Sequence, residues 1–192
     1  MFISFANSEA LQPTLWRTCR VLANKTRLRI MRELYKHPDQ MVSDIARRLR
    51  LSLSLTSQSL RALNARGLIL ARRTGRFVYY RPSANQSIPY SVLLLKAILK
   101  IFANDKNPER NIFQYSTAFT HPRRILIIKT LGKIPMLQEE IAFETNIPIS
   151  AVGRHLRKLV VRGFIKHADC RYACSVPQHK FAQLLQRLAR YD

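Results

Sequence analysis

The chain repeats itself, and this limits its fold more than any other feature. Phe119 to Leu131 parallels Leu22 to Leu34, with Arg124 on Arg27 and Leu131 on Leu34. One deletion later, Ile141-Ala142 falls on Ile45-Ala46, Ser150 on Ser54 and Leu156-Arg157 on Leu60-Arg61. Leu159 then falls on Leu63, Arg162-Gly163 on Arg66-Gly67 and Ile165 on Ile69. A second deletion puts Arg171-Tyr172 on Arg76-Phe77 and Pro177 on Pro82. Order and spacing persist over most of each half, as in a tandem duplication. The 192 residues therefore divide into two small units of one kind.

The first unit is the easier to read. Ser52 and Ser54 are both N-cap types, and Gly67 sits where a helix hands over to a left-handed residue. Between them Leu53, Thr56, Leu60 and Leu63 recur at spacings of three and four, which puts them on one face. The opposite face carries Ser54, Ser57, Gln58 and Arg61 and no acid. Hydroxyl, amide and guanidinium groups reach base edges and phosphates in a major groove, so this stretch reads as a recognition helix for double-stranded DNA. Leu68 to Arg73, a Thr74-Gly75 turn and Arg76 to Arg81 then predict a β-hairpin with a basic tip. Arg72, Arg73 and Arg76 are placed there for phosphates or the minor groove, with Tyr79 beside them.

Upstream, residues 1 to about 10 read as a loose arm, and Pro13 can open a helix with Leu15, Cys19 and Leu22 on its apolar face. A second helix over Thr26 to Leu34 turns Leu28, Met31 and Leu34 inward and ends at His37-Pro38-Asp39. A third, from about Ser43 to Leu49, leads through Arg50-Leu51 into the recognition helix. Two short helices around a tight turn, the second polar and basic on its outer face, make a helix-turn-helix. Downstream, Ser87 and Pro89 are suited to start a helix over Tyr90 to Phe102 that is apolar nearly all round. Such a helix is covered on more than one side. Its second cover is either another chain, giving a homodimer, or the second half of this one, giving an intramolecular pseudo-dimer.

Composition narrows the partner. Lys and Arg number 33 against 11 Asp and Glu, a formal net charge of +22. That excess calls for a polyanion, either nucleic acid or an anionic membrane. It is uneven: from Ile45 to Asn104 there is no acidic residue at all. No stretch approaches the roughly 20 apolar residues of a membrane span. The start lacks the basic region of a signal peptide, and Cys19, Cys170 and Cys174 are too few for a disulfide framework, so a cytoplasmic location is expected.

Asn104 to Asn111 is polar and marks the domain boundary, giving units 1–104 and 105–192. Asn107-Pro108 also starts a helix running to about Phe119. In the second unit the recognition helix buries Ile149, Val152, Leu156 and Leu159 and exposes Ser150, Gly153, Arg154, Arg157 and Lys158. That face is more electrostatic, and Gly153 costs about 1 kcal/mol relative to Ala. Its hairpin is one residue shorter, with Ala168-Asp169-Cys170 where the first has Arg72 to Gly75, and an acid at a hairpin tip repels phosphate. The first unit is therefore expected to be the main reader, and the second to bind weakly or to serve in pairing. Its closing helix carries Phe181, Leu184, Leu185 and Leu188 as a one-sided stripe.

These stretches carry a likeness. Leu22 to Ile30, Val42-Ser43-Asp44-Ile45-Ala46, Leu60 to Ile69 and Gly75 to Arg81 resemble signatures of the ArsR (arsenic-repressor) family of transcription regulators. The resemblance covers residues 12 to 102 well and recurs more faintly from about 109 to 190. It implies a mainly α fold with small β-hairpin wings, two tandem winged helix-turn-helix domains, pairing through first and last helices, and repression by promoter occupancy. Metal sensors of the family carry cysteine in the third helix, where this chain has Ser43, or His and Asp in the closing helix, where Tyr90 to Phe102 has neither. Cys170 and Cys174 fall on Gly75 and Tyr79 and read as hairpin residues rather than a zinc pair. No cofactor or metal is expected.

The leading expectation is a sequence-specific, DNA-binding regulator that acts as a repressor. The alternative is an architectural, nucleoid-type protein that coats DNA without preference. Catalysis is not expected: there is no Gly-rich phosphate loop, no carboxylate pair in a basic pocket and no nucleophile beside a base. His155, in the second recognition helix, suits a phosphate contact or a half-buried surface site.

Overall fold

The computed structural model describes residues 14–132 and 134–192. The expected N-terminal arm and Pro13 lie outside them. The first half runs α1 (Leu15–Leu22), α2 (Lys25–Lys36), α3 (Val42–Leu49), α4 (Leu53–Asn64), a hairpin β1 (Ile69–Thr74) and β2 (Phe77–Pro82), and α5 (Ser91–Asn104). The second half runs α6 (Pro108–Ser116) with a 3₁₀ turn (Thr117–Phe119), α7 (Pro122–Leu131), α8 (Gln138–Thr145), α9 (Ile149–Val161), a hairpin β3 (Ile165–Ala168) and β4 (Arg171–Cys174), and α10 (Lys180–Tyr191). The fold is mainly helical with two small antiparallel hairpins, the architecture of two tandem winged helix-turn-helix domains.

The halves repeat in detail. Asn24 caps α2 by accepting from the Arg27 amide at 2.9 Å. The Arg27 guanidinium then donates to the Val21 and Arg20 carbonyls that α1 leaves open, at 2.7 and 3.0 Å. Arg124 does the same to Ala118 and Thr117 at the end of the 3₁₀ turn. Both guanidinium groups are pushed below their ordinary pKa by burial. The Asp44 carboxylate accepts from the Met41 amide at 3.4 Å to start α3, and Glu140 accepts from Leu137 at 2.7 Å to start α8. α3 ends on left-handed Arg50 (φ +53) and α8 on left-handed Asn146 (φ +50), which sets the turn into each following helix.

Wing geometry departs from the sequence alignment. Thr74 pairs with Phe77, so the first turn is Gly75-Arg76 rather than Thr74-Gly75, with Gly75 at φ +59. A two-residue hairpin loop needs positive φ at its first position, and glycine supplies it without strain. The second turn is Asp169-Cys170, both at positive φ. Tyr80 exchanges backbone bonds with Gln40, and Tyr172 does so with Met136. Tyr172 thus stands where Tyr80 does, not where Phe77 does, and Cys174 pairs with Ile165 as Pro82 pairs with Ile69. The first ladder has six residue pairs and the second four. The second wing is cut back at its tip by two residues per strand, more than the single deletion inferred from sequence.

One hydrophobic core runs through both halves. α1 packs on α6 and the 3₁₀ turn, α5 on α2, α6 and α10, and α10 on α7. Leu94, Leu95, Ile98, Ile101 and Phe102 of α5 are buried, while Val92, Leu93, Lys96 and Lys100 stay exposed. α5 does not start at Ser87: Tyr90 is left-handed (φ +65), and the helix begins at Ser91, whose hydroxyl donates to the Asn85 carbonyl. Cross-half ties include Arg32 to Glu109 at 2.8 Å and the Leu15 amide to the Asp192 carboxylate at 3.0 Å, while within the second half His179 bonds Asp105 at 2.9 Å. The His179 ring also caps α10, its Nδ1 accepting from the Phe181 amide, so Nε2 carries the proton donated to Asp105. Burial raises the Asp105 carboxyl, but the bonds from Asn111 and His179 outweigh it and hold the carboxyl below its usual range.

Candidate nucleic-acid interface

α4 is set by Ser52, whose hydroxyl accepts from the Leu55 amide at 3.2 Å, and by Gly67, left-handed at φ +64. Thr56, Ser59, Leu60 and Leu63 bury one face. Leu53 does not join them; it is 60% exposed. Ser54, Gln58 and Arg61 are exposed and Ser57 half-buried. They form two parallel pairs one turn apart, with the Gln58 amide 3.5 Å from Ser54 Oγ and the Arg61 guanidinium donating to Ser57 Oγ at 3.2 Å. Donors and acceptors therefore alternate along one open stripe.

The first wing is polar on both strands. Arg72, Arg73 and Arg76 are exposed. Arg73 donates to the Gly75 carbonyl at 3.1 Å, which holds its guanidinium at the turn, and Arg76 lies 5.2 Å from the centre of the Phe77 ring. Tyr79 is half-buried and pairs across from Arg72. No carboxylate occurs between Asp44 and Asp105, so the stripe and the wing share a surface with no anion of their own in that stretch.

In the second half, Ser150, Arg154 and Arg157 are exposed at the positions of Ser54, Gln58 and Arg61. Three expectations need correction. Ile149 is 46% exposed rather than buried. Gly153 is turned toward α8, where an added Cβ would lie 3.2 Å from the Gln138 amide. Lys158 leaves the outer stripe and is half-buried; burial, then Arg162 and Arg124, lower its ammonium below the usual pKa. The His155 ring lies tilted against His121 with ring centres 4.8 Å apart, and burial together with His121, Arg124, Arg123 and Arg154 pushes its pKa down to about 4. It is a neutral, half-buried site at neutral pH.

Sequence reading passed over the first helix of each helix-turn-helix. That helix crosses the DNA backbone in such folds. α3 exposes Arg47 and Arg48, whereas α8 exposes Phe143 and Glu144 at the same positions, with Glu139 nearby; Phe143 is 85% exposed. The signal was available in the repeat alignment, which already placed Ile141-Ala142 on Ile45-Ala46. The second wing adds to the contrast: Arg171 donates to the Glu140 carboxylate and the Pro135 carbonyl, each at 3.2 Å.

Cys19 is fully buried, and desolvation raises its thiol far above the usual range. Cys170 is exposed on the second wing's turn, and Cys174 points its sulfur at the Ile128 carbonyl, 3.8 Å away. Among the described residues no three His, Cys, Asp or Glu side chains gather to hold a metal ion, and no helix is long and apolar enough to cross a membrane.

No curated protein matches the chain. The profile of the bacterial regulatory proteins of the arsR family matches it twice, over residues 24–70 and 121–167. Each match runs from the helix before the helix-turn-helix to the first strand of the wing. With both units matched, the chain carries the helix-turn-helix domain of the arsR family of bacterial regulatory proteins in two tandem copies.

Proposed function

We propose that the protein is a sequence-specific, double-stranded-DNA-binding transcription repressor that acts by occupying its promoter, with the first half as the main reader. The observation that carries this reading is the exposed stripe Ser54, Ser57, Gln58 and Arg61 beside a wing bearing Arg72, Arg73 and Arg76, within a stretch free of acids. Gln58 and Arg61 have the geometry for paired contacts to base edges. The wing arginines, with Tyr79 against them, supply phosphate contacts. In the second half Ser150, Arg154 and Arg157 hold a weaker, electrostatic contact, without Lys158, which lies off the stripe. With Ser43 in α3 the chain lacks the cysteine of the family's metal sensors, so a trigger, if it has one, is of another kind.

We further propose that residues 1–104 and 105–192 pair as a pseudo-dimer within one chain. The packing of α1 on α6 and of α5 on α10 supports this over a homodimer through α5. Light scattering reads it directly: 22.3 kDa is the monomer mass, and twice that value would restore the homodimer. For the function, the test is footprinting on DNA fragments selected by the full chain. One short protected site is expected, with affinity falling roughly 10³- to 10⁵-fold between 50 and 200 mM salt if six to ten phosphates are neutralised. Uniform coating without a bounded footprint would mean an architectural protein instead.

A further inference from the structure

Away from the stripe and the wing, α1, the start of α2 and the turn after α4 line an open cleft of about 390 Å³. Trp16, Arg17, Arg20, Val21, Arg27 and Arg66 line it, and no described carboxylate does. We propose that this cleft is a binding site for a phosphate group.

The four guanidinium groups differ in what holds them. Arg27 is committed to the α1 carbonyls. Arg66 is half-buried, and its Nη1 is buried with no acceptor among the described residues. A buried guanidinium nitrogen without an acceptor is costly and marks a place for an anion to enter. Arg17 and Arg20 both lie over Trp16, 5.1 and 5.6 Å from its ring centre, so two charges are held against one aromatic ring. None of Arg20, Arg27 and Arg66 joins an ion pair among the described residues. Burial, then the charge of Arg17, lowers the Arg66 pKa, the mark of like charges facing each other.

The repeat separates scaffold from site. Arg27 and Arg66 recur as Arg124 and Arg162, so they belong to the duplicated framework. Arg17 and Arg20 face Gln114 and Thr117 at the matching positions of the second half. Only the first half therefore gathers four cations around this cleft. Their fork geometry suits the oxygens of a phosphate, which guanidinium groups bind two at a time. That phosphate can belong to a small diffusing molecule or to a DNA backbone.

Trp16 is the only tryptophan of the chain, so its emission reports on the cleft. The full chain would be titrated with sodium pyrophosphate at constant ionic strength, and separately with a mixed-sequence duplex. The same titrations would be run on the double variant Arg17→Gln with Arg20→Gln and on Arg66→Gln. The expected result is a saturable pyrophosphate response whose midpoint rises at least about tenfold in each variant. A response to duplex alone, with the double variant flattening the salt slope by about one to two, assigns the phosphate to DNA. No saturable response to either ligand, or a midpoint unmoved in the double variant, overturns the site. Arg20 is exposed, so Arg20→Gln alone serves if the other variants fail to fold. The pyrophosphate titration involves no DNA, so its failure is distinguishable from failure of the regulator reading.

Discussion

The two helix-turn-helix units share a scaffold and differ on their working faces. Arg27 and Arg124 close the same carbonyls, Arg50 and Asn146 make the same left-handed turn, and Gly67 and Gly163 end the same helix. Outward, Gln58 stands against Arg154, Arg47 against Phe143 and Arg48 against Glu144. Positions fixed by backbone geometry tolerate few side chains, and positions facing solvent tolerate nearly any. The difference teaches that duplication keeps the fold and frees one copy's chemistry.

The sharpest way to break this comparison is to strip each stripe in turn. Gln58→Ala with Arg61→Ala is expected to weaken site-specific binding by roughly 10²- to 10⁴-fold, at about 1–3 kcal/mol for each base contact. Arg154→Ala with Arg157→Ala is expected to weaken all sequences alike and to leave the ranking of sites unchanged in competition binding. Equal losses of specificity from both pairs would make the halves equivalent readers.

Next in size is a stability contrast at matched glycines. Both are left-handed, at φ +64 and +77, which costs a non-glycine residue about 1–2 kcal/mol. A Cβ on Gly67 would also lie 3.1 Å from the Asn85 and Ile88 side chains, whereas Gly163 has nothing within 4 Å. Gly67→Ala should therefore cost about 2–4 kcal/mol and Gly163→Ala about 1–2 kcal/mol, read from urea midpoints.

A smaller effect separates the wings. Arg73→Ala is expected to weaken binding to all sequences and flatten the salt slope by about one, and Arg171→Ala to leave the slope unchanged, since Arg171 is tied to Glu140. An unchanged slope for Arg73→Ala would remove the first wing from the interface.

The smallest contrast is in pH. His155 is held down to about 4 in the fold, against about 6.5 when unfolded. Between those values the unfolded chain binds the proton and the folded chain does not, so stability falls as pH drops from about 6.5 toward 4. Ser59 at the matching position titrates nothing. His155→Gln should flatten the dependence of the urea midpoint on pH; an unaltered curve would place the loss elsewhere, for example at His121, which is also depressed.

Much of this was legible in the chain itself, because periodicity and caps act locally. The repeat, the helix-turn-helix, the closing helices and the exposed stripe Ser54, Gln58 and Arg61 follow from spacing alone. The second wing's register did not, since alignment by residue type placed Tyr172 on Phe77. Backbone pairing with Met136, a long-range contact, decides that it matches Tyr80. Leu53 and Ile149 misled for a related reason: periodicity gives the side of a helix but not where its neighbours stop. Lys158 lies next to Arg157 in sequence, and the step of about 100° between them carries it off the stripe toward Arg162 and Arg124. The arginine cleft gathers Arg17, Arg20, Arg27 and Arg66 from two helices and the turn after α4, and no spacing rule relates them.

The packing of α1 on α6 and of α5 on α10 has a consequence for response to dosage. Two separate chains assemble in proportion to the square of their concentration, and dilution takes them apart. Halves joined by a short loop meet at an effective concentration of about millimolar however few molecules are present. On the proposed reading, occupancy of a promoter by an internally paired chain rises in simple proportion to copy number, without the threshold that assembly imposes.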